Sequence, residues 1–122
     1  MESTYDLFRR GTELLELGDY HAAVVPLARA RDNDPDKASI REALGRALFR
    51  AQRYEQAVVE FAAVVENAPT NDYALFCLGR SLQQLGRHAE ACRPLALAAC
   101  LRPERSDYRL YRERARLADR AA

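Results

Sequence analysis

Five side chains in this sequence are histidines or cysteines, residue types often found as metal ligands and as catalytic nucleophiles or bases. They are His21, His88, Cys77, Cys92 and Cys100. Zinc and redox sites place such residues at short fixed spacings, as in a CxxC pair or a histidine joined by cysteines or carboxylates. Neither spacing occurs here. The sequence therefore predicts no catalytic residue, no metal site and no cofactor, with a redox pair among the cysteines as the alternative.

The composition is that of an ordinary globular chain. Of 122 residues, 48% are hydrophobic and 30% are charged, and the formal net charge is +1. A net charge near zero gives no general attraction to nucleic acid or to a membrane surface. There is no stretch of about 18 apolar residues and no signal-peptide pattern. We expect a single cytoplasmic domain with unpaired cysteines.

The elements that would position any binding residue are helices joined in pairs. Between Asp72 and Pro103, apolar residues recur at helical spacing from Leu75 to Leu82, and Gly86 then interrupts the pattern. A second apolar stripe follows and ends at Pro103. A helical hairpin of this size cannot bury its own apolar faces, so it needs neighbours of the same kind.

The same pattern recurs along the chain at one fixed period. Three sets of residues keep this 34-residue spacing without an insertion: Gly11, Gly45 and Gly79; Ala23, Ala57 and Ala91; and Pro35, Pro69 and Pro103. In these features the chain resembles the tetratricopeptide repeat family. The resemblance implies an all-α fold of seven helices, a right-handed superhelix of antiparallel helical hairpins. It places repeats at 4–37, 38–71 and 72–105 in one domain, followed by a C-terminal capping helix at 106–122.

Local signals refine this prediction. Ser3, Asp19, Ser106 and either Asn71 or Thr70 are suited to cap helix N-termini, because a short polar side chain can accept a hydrogen bond from the first turn. Pro26 and Pro94 lie inside predicted second helices, where a proline costs about 3 kcal/mol, so we expect kinks there. The final helix should close the open end of the stack. The alternative is a half-formed fourth repeat that pairs with another molecule.

The resemblance also implies where a partner would lie, because the first helices of such repeats line a concave groove. The residues that it assigns to partner binding are Tyr5, Phe8, Thr12, Glu42, Arg46, Phe49, Tyr73, Phe76, Arg80 and Arg114. Exposed aromatic rings in a groove favour binding, and the three arginines, each one period from the next, favour carboxylates. Two alternatives remain: the terminal helix covers Tyr73 and Phe76, or the arginines pair within the chain, for example with Glu42.

The predicted function is that of an adaptor for another protein. Its partner would supply a peptide or helical segment, acidic and with apolar anchors, to a monomer or weak homodimer. The lysine and asparagines with which some of these repeats hold the C-terminal carboxylate of heat-shock chaperones are replaced by Phe8, Thr12 and Ala43. The remaining hypotheses are a secretion-type chaperone that shields an apolar client segment and a self-assembling scaffold.

Overall fold

The computed structural model describes residues 2–122, and within this range the chain forms seven α-helices and no β-strand. The helices are α1 (Thr4–Glu16), α2 (Tyr20–Asn33), α3 (Ala38–Arg50), α4 (Tyr54–Asn67), α5 (Asp72–Gln84), α6 (His88–Leu101) and α7 (Ser106–Ala121). A 13-residue helix, a short turn, a 14-residue helix and a slightly longer turn make up each period. The predicted all-α fold of helical hairpins is confirmed.

Polar caps begin two of the first helices, as predicted. The Ser3 hydroxyl accepts a hydrogen bond of 3.1 Å from the amide of Asp6, and the Asn71 side chain accepts one of 3.1 Å from the amide of Ala74. The expected cap at Ser106 is wrong, because this residue already lies in α7 and Arg105 precedes the helix. Asp19 takes the capping position of α2, but its side chain makes no capping hydrogen bond.

The turns inside the hairpins share one backbone conformation. Gly18, Gln52 and Gly86 recur one period apart and have φ angles of 81°, 62° and 75°. This left-handed region ends a helix at little cost for glycine, whereas Gln52 adopts it with a side chain. Each hairpin is therefore turned in the same way, although only two of the three sequences carry the glycine that the turn favours.

The chain's contacts group into two compact units, one ending at Glu60 and the other beginning at Phe61. In the first unit, α2 packs against both α1 and α3. In the second unit, α6 packs against both α5 and α7. The helix α7 thus packs against α6 in the second unit as α3 packs against α2 in the first.

The two units also repeat each other in detail. In the first, Leu7, Ala30 and Ile40 form a buried cluster against which Phe8 packs. Every one of these positions recurs two periods later in the buried cluster of the second unit. That cluster contains Leu75, Ala98 and Tyr108, with Phe76 packed against it. The sequence period is therefore a period of the packing.

Glycine allows the close approach of the two helices in a hairpin. A Cβ atom added to Gly11 would lie 2.4 Å from Cγ of Leu27, and one added to Gly79 would lie 2.4 Å from Cγ of Leu95. Such distances are far inside van der Waals contact. In both units, therefore, the glycine of the first helix leaves room for a leucine of the second helix.

The two mid-helix prolines do not end their helices. Pro26 and Pro94 are buried, and α2 and α6 continue past them to Asn33 and Leu101. Each proline removes one backbone donor from its helix. Burial of the ring among apolar neighbours offsets part of that loss.

Candidate binding surface

The helix α1 presents one exposed aromatic ring. Tyr5 is 71% exposed, whereas Phe8 is half-buried and packs on the cluster of the first unit. The Thr12 hydroxyl donates a hydrogen bond of 3.0 Å to the carbonyl oxygen of Arg9 in its own helix. Of the three residues assigned to binding on α1, Tyr5 is therefore the one whose side chain lies mainly outside the fold.

The helix α3 presents an exposed cation. Arg46 is exposed, and within residues 2–122 its guanidinium has no carboxylate at ion-pair distance. Phe49 packs edge-on against Tyr54, with ring centres 5.2 Å apart. Glu42 is half-buried. Of the three residues assigned to binding on α3, Arg46 is therefore the one that is exposed.

In the second unit, one assigned aromatic belongs to the packing of α7. The Phe76 ring stacks on Tyr108 at 4.6 Å between centres and meets Tyr111 edge-on at 5.7 Å. The alternative in which the terminal helix covers this position therefore describes Phe76 better than groove exposure does. Tyr73 is different, because it remains 38% exposed on α5.

The structure brings Arg80 and Arg114 together around one aromatic ring. The guanidinium carbons of Arg80 and Arg114 lie 3.9 Å and 5.2 Å from the centre of the Tyr111 ring. Gln83 ties the group together, since its amide nitrogen donates to the Tyr111 carbonyl oxygen and its amide oxygen accepts from Arg80, both at 3.0 Å. Sequence reasoning missed Tyr111 as a site residue. Its position one helical turn before Arg114, on the same helix face, is the signal that could have found it.

The outer face of α7 is charged. In the third repeat, Leu75, Leu78, Gly79 and Leu82 face the second helix of their own hairpin. One period later the same positions are Arg109, Arg112, Glu113 and Arg116. Arg116 and Glu113 form an ion pair on this face. Packing another helix of the repeat against this face would bury its charges at a high cost in desolvation. A polar outer face of this kind is what a capping helix requires.

The cysteines and histidines lie apart from this surface. Cys77 and Cys92 are half-buried and Cys100 is exposed. The Cys92 thiol donates a hydrogen bond of 3.2 Å to the His88 carbonyl oxygen, and burial, with Asp119 nearby, raises its pKa above the usual range. Along the described chain, no three of the histidine, cysteine, aspartate and glutamate side chains are grouped to hold a metal ion. None of the described helices has the length and apolar character needed to cross a membrane.

The fold and the surface define a helical-repeat protein whose hairpins stack through a fixed, periodic packing pattern. The sequence matches the tetratricopeptide repeat over residues 8–72, more than half of the chain, and the chain belongs to this family. Proteins of this class are generally interaction modules without enzymatic activity, and their stacked repeats bind other proteins. No curated protein matches the sequence.

Solved structures with the same fold include two kinds of protein. The first tetratricopeptide repeat domain of Spaghetti (RPAP3), bound to the HSP90 peptide SRMEEVD, is 18% identical with a TM-score of 0.87, over 94% of this chain and 91% of that one. MamA from AMB-1 is 26% identical with a TM-score of 0.84, over 93% of this chain and 62% of that one. MamA from Desulfovibrio magneticus RS-1 is 22% identical with a TM-score of 0.83, over 98% and 73%. This chain thus spans about two thirds of the length of MamA.

Proposed function

We propose that this protein is a cytoplasmic adaptor that binds a segment of another protein with the first helices of its repeats. One observation carries the proposal. Tyr5 on α1 and Arg46 on α3 are exposed in the first unit, and Tyr73 on α5 and Arg114 on α7, each two periods later, are exposed in the second. Exposed tyrosines and arginines that recur at the same positions of both units are typical of a binding surface.

The chemistry of this pair fits an acidic segment with apolar side chains. An arginine binds carboxylates through two parallel hydrogen bonds, and a tyrosine ring supplies apolar area at low cost in side-chain entropy. The peptide bound to the RPAP3 domain has this character, with two glutamates, a terminal aspartate, a methionine and a valine. The lysine-and-asparagine clamp is absent from this chain, so its carboxylate contacts would be made by arginine instead.

The test begins with peptides selected from a displayed random 12-residue library on the immobilised full-length chain. Each selected peptide is then titrated as a free, labelled peptide by fluorescence anisotropy. A chain carrying Tyr5→Ala and Arg46→Glu should bind about tenfold or more weakly, because it loses an aromatic anchor and reverses a charge. Raising the salt concentration should weaken binding to the unaltered chain more than to this variant.

The matched control carries Val25→Ala on α2 and Arg93→Glu on α6, two exposed residues outside the first helices. This control should keep its affinity within about twofold, since surface changes away from a site have small effects. Equal affinity of the unaltered chain, the site variant and the control would reject the proposal. Circular dichroism establishes that each variant remains folded.

A further inference from the structure

The last helix carries an exposed stripe that its own packing does not use. Leu110 and Leu117 are 47% and 53% exposed, and Arg114 lies between them in sequence. Residues three and four apart share one face of a helix, so these three side chains form a continuous stripe. The packed face of α7 is a different one, on which Tyr108 and Ala115 are buried.

The stripe is not the docking face for another helix of the repeat. That face is the one carrying Arg109, Arg112, Glu113 and Arg116, and its charges close the stack. Leu110 and Leu117 instead occupy the positions that Phe76 and Gln83 occupy one period earlier, on the first helix α5. They therefore extend the first-helix surface of the second unit.

The charge beside the stripe is fixed in place. Tyr111 holds the guanidinium of Arg114 near its ring, and Arg80 occupies the same ring from α5. Arg114 has no carboxylate at ion-pair distance anywhere in residues 2–122. Two cations around one ring repel each other, so an anion from outside the chain would be bound more tightly there than at a lone arginine.

The charge balance of α7 indicates the nature of the partner. The helix contains five arginines and three acidic residues, which leaves it with a net charge of +2. Beside Arg114, α5 adds a further positive charge, that of Arg80. Charge complementarity therefore favours an acidic occupant over a basic or neutral one.

We infer that Leu110, Arg114 and Leu117 form a subsite for an acidic segment of a partner protein, with a carboxylate on Arg114 and an apolar side chain on each leucine. The inference rests on the proposed function and adds Leu110 and Leu117 to its surface. Two helical turns separate the two leucines, a rise of about 10 Å. Alternate side chains of an extended segment share one face, so two apolar side chains four positions apart, with an acidic one midway between them, span about 13 Å and can all face the stripe.

The peptides selected from the random 12-residue library on the full chain are the probes for this subsite. The enriched sequences should carry Asp or Glu midway between two apolar residues that are four positions apart. Arg114→Glu should weaken their binding by about tenfold or more, and Leu110→Ser with Leu117→Ser should do the same. Arg93→Glu and Leu97→Ser, at exposed positions of α6, are the controls matched in charge and in apolar character, and each should change affinity by less than about twofold.

Two results separate this inference from the proposed function. Peptides that bind the α7 variants normally but lose affinity for the Tyr5→Ala, Arg46→Glu chain would overturn the subsite and leave the proposed function standing. Enriched peptides without acidic residues would also overturn the subsite. A library that yields no peptide with measurable affinity would overturn both.

Discussion

The phenolic hydroxyl of Tyr108 on α7 donates a hydrogen bond of 2.8 Å to the carboxylate of Asp72, the first residue of α5. The Tyr108 ring is fully buried and stacks on Phe76, and the guanidinium of Arg105 lies 4.5 Å from its centre. One side chain thus joins the start of the third repeat to the cap. The placement of Arg114 beside Arg80 depends on this docking.

Replacement of Tyr108 by Phe removes the hydrogen bond while keeping the ring. We expect the free energy of unfolding, from urea denaturation followed by circular dichroism, to fall by about 1 to 2 kcal/mol. Tyr111→Phe is the matched control, because the Tyr111 hydroxyl makes no hydrogen bond within the described chain, and it should cost less than about 0.5 kcal/mol. Equal losses for the two variants would show that the bond to Asp72 contributes nothing.

The same hydroxyl predicts a loss of stability at alkaline pH. Burial raises the pKa of Tyr108 above its usual value near 10, and the hydrogen bond to Asp72 raises it further. The folded chain therefore keeps a proton that the unfolded chain releases, so this contribution is complete below about pH 10 and is lost as the pH rises through the folded-state pKa.

The measurement is the difference in unfolding free energy between the unaltered chain and the Tyr108→Phe variant. Above about pH 10, the unaltered chain should lose stability relative to the variant, by up to about 1.4 kcal/mol per pH unit. Other groups that titrate in this range are common to both proteins and cancel. A difference that stays constant from pH 8 to pH 11 would contradict the prediction.

Gly79→Ala tests the contact between the helices of the third hairpin. In an exposed helix this change stabilises by about 1 kcal/mol. Here the new methyl group would overlap the buried side chain of Leu95, so we expect a loss of about 1 to 3 kcal/mol instead. The double variant Gly79→Ala, Leu95→Ala should lose less unfolding free energy than the sum of the two single variants, because the smaller side chain at position 95 makes room for the new methyl group. Additive losses would show that the two residues do not compete for the same volume.

Glu60 tests the buried charge of the first unit. Its carboxylate is 2% exposed and receives Arg31 at 2.6 Å and Arg41 at 3.0 Å. Glu60→Gln should lower the free energy of unfolding by about 2 kcal/mol, since it removes the buried carboxylate that two arginines share and leaves Arg31 only its ion pair with Asp32 at 3.0 Å. The control is Glu90→Gln, whose ion pair with Arg87 is exposed and worth less than about 0.5 kcal/mol. A Glu60→Gln loss no larger than that of the control would contradict the buried-pair account.

Removal of α7 tests its role as a cap. A chain ending at Pro103 would expose the faces of Leu75, Ala98 and Ala99 that Tyr108 now covers. We expect this shortened chain to self-associate, with a mass by light scattering well above that of the monomer. If it remains monomeric and unfolds at the same urea concentration as the full chain, α7 does not cap the fold.

Much of the fold follows from the sequence alone. The regular spacing of Gly11, Gly45 and Gly79 and of the closing prolines predicted three helical hairpins of equal length. Ser3 and Asn71 marked two helix starts correctly. The error at Ser106 has a local cause, because a serine followed by an acidic residue suits the capping position and the first turn almost equally well.

The candidate surface was only partly predictable. The helical register determined that Tyr5, Arg46, Tyr73 and Arg114 share one face of their helices, because periodicity is a local property of the backbone. The capture of Phe76 by Tyr108 and the gathering of two arginines around Tyr111 were decided by tertiary structure. The contacts of Phe76 with Tyr108 and of Arg80 with Tyr111 join residues about one repeat apart in the chain, so they depend on how α7 packs against α5. The spacing of residues within a single helix does not predict that packing.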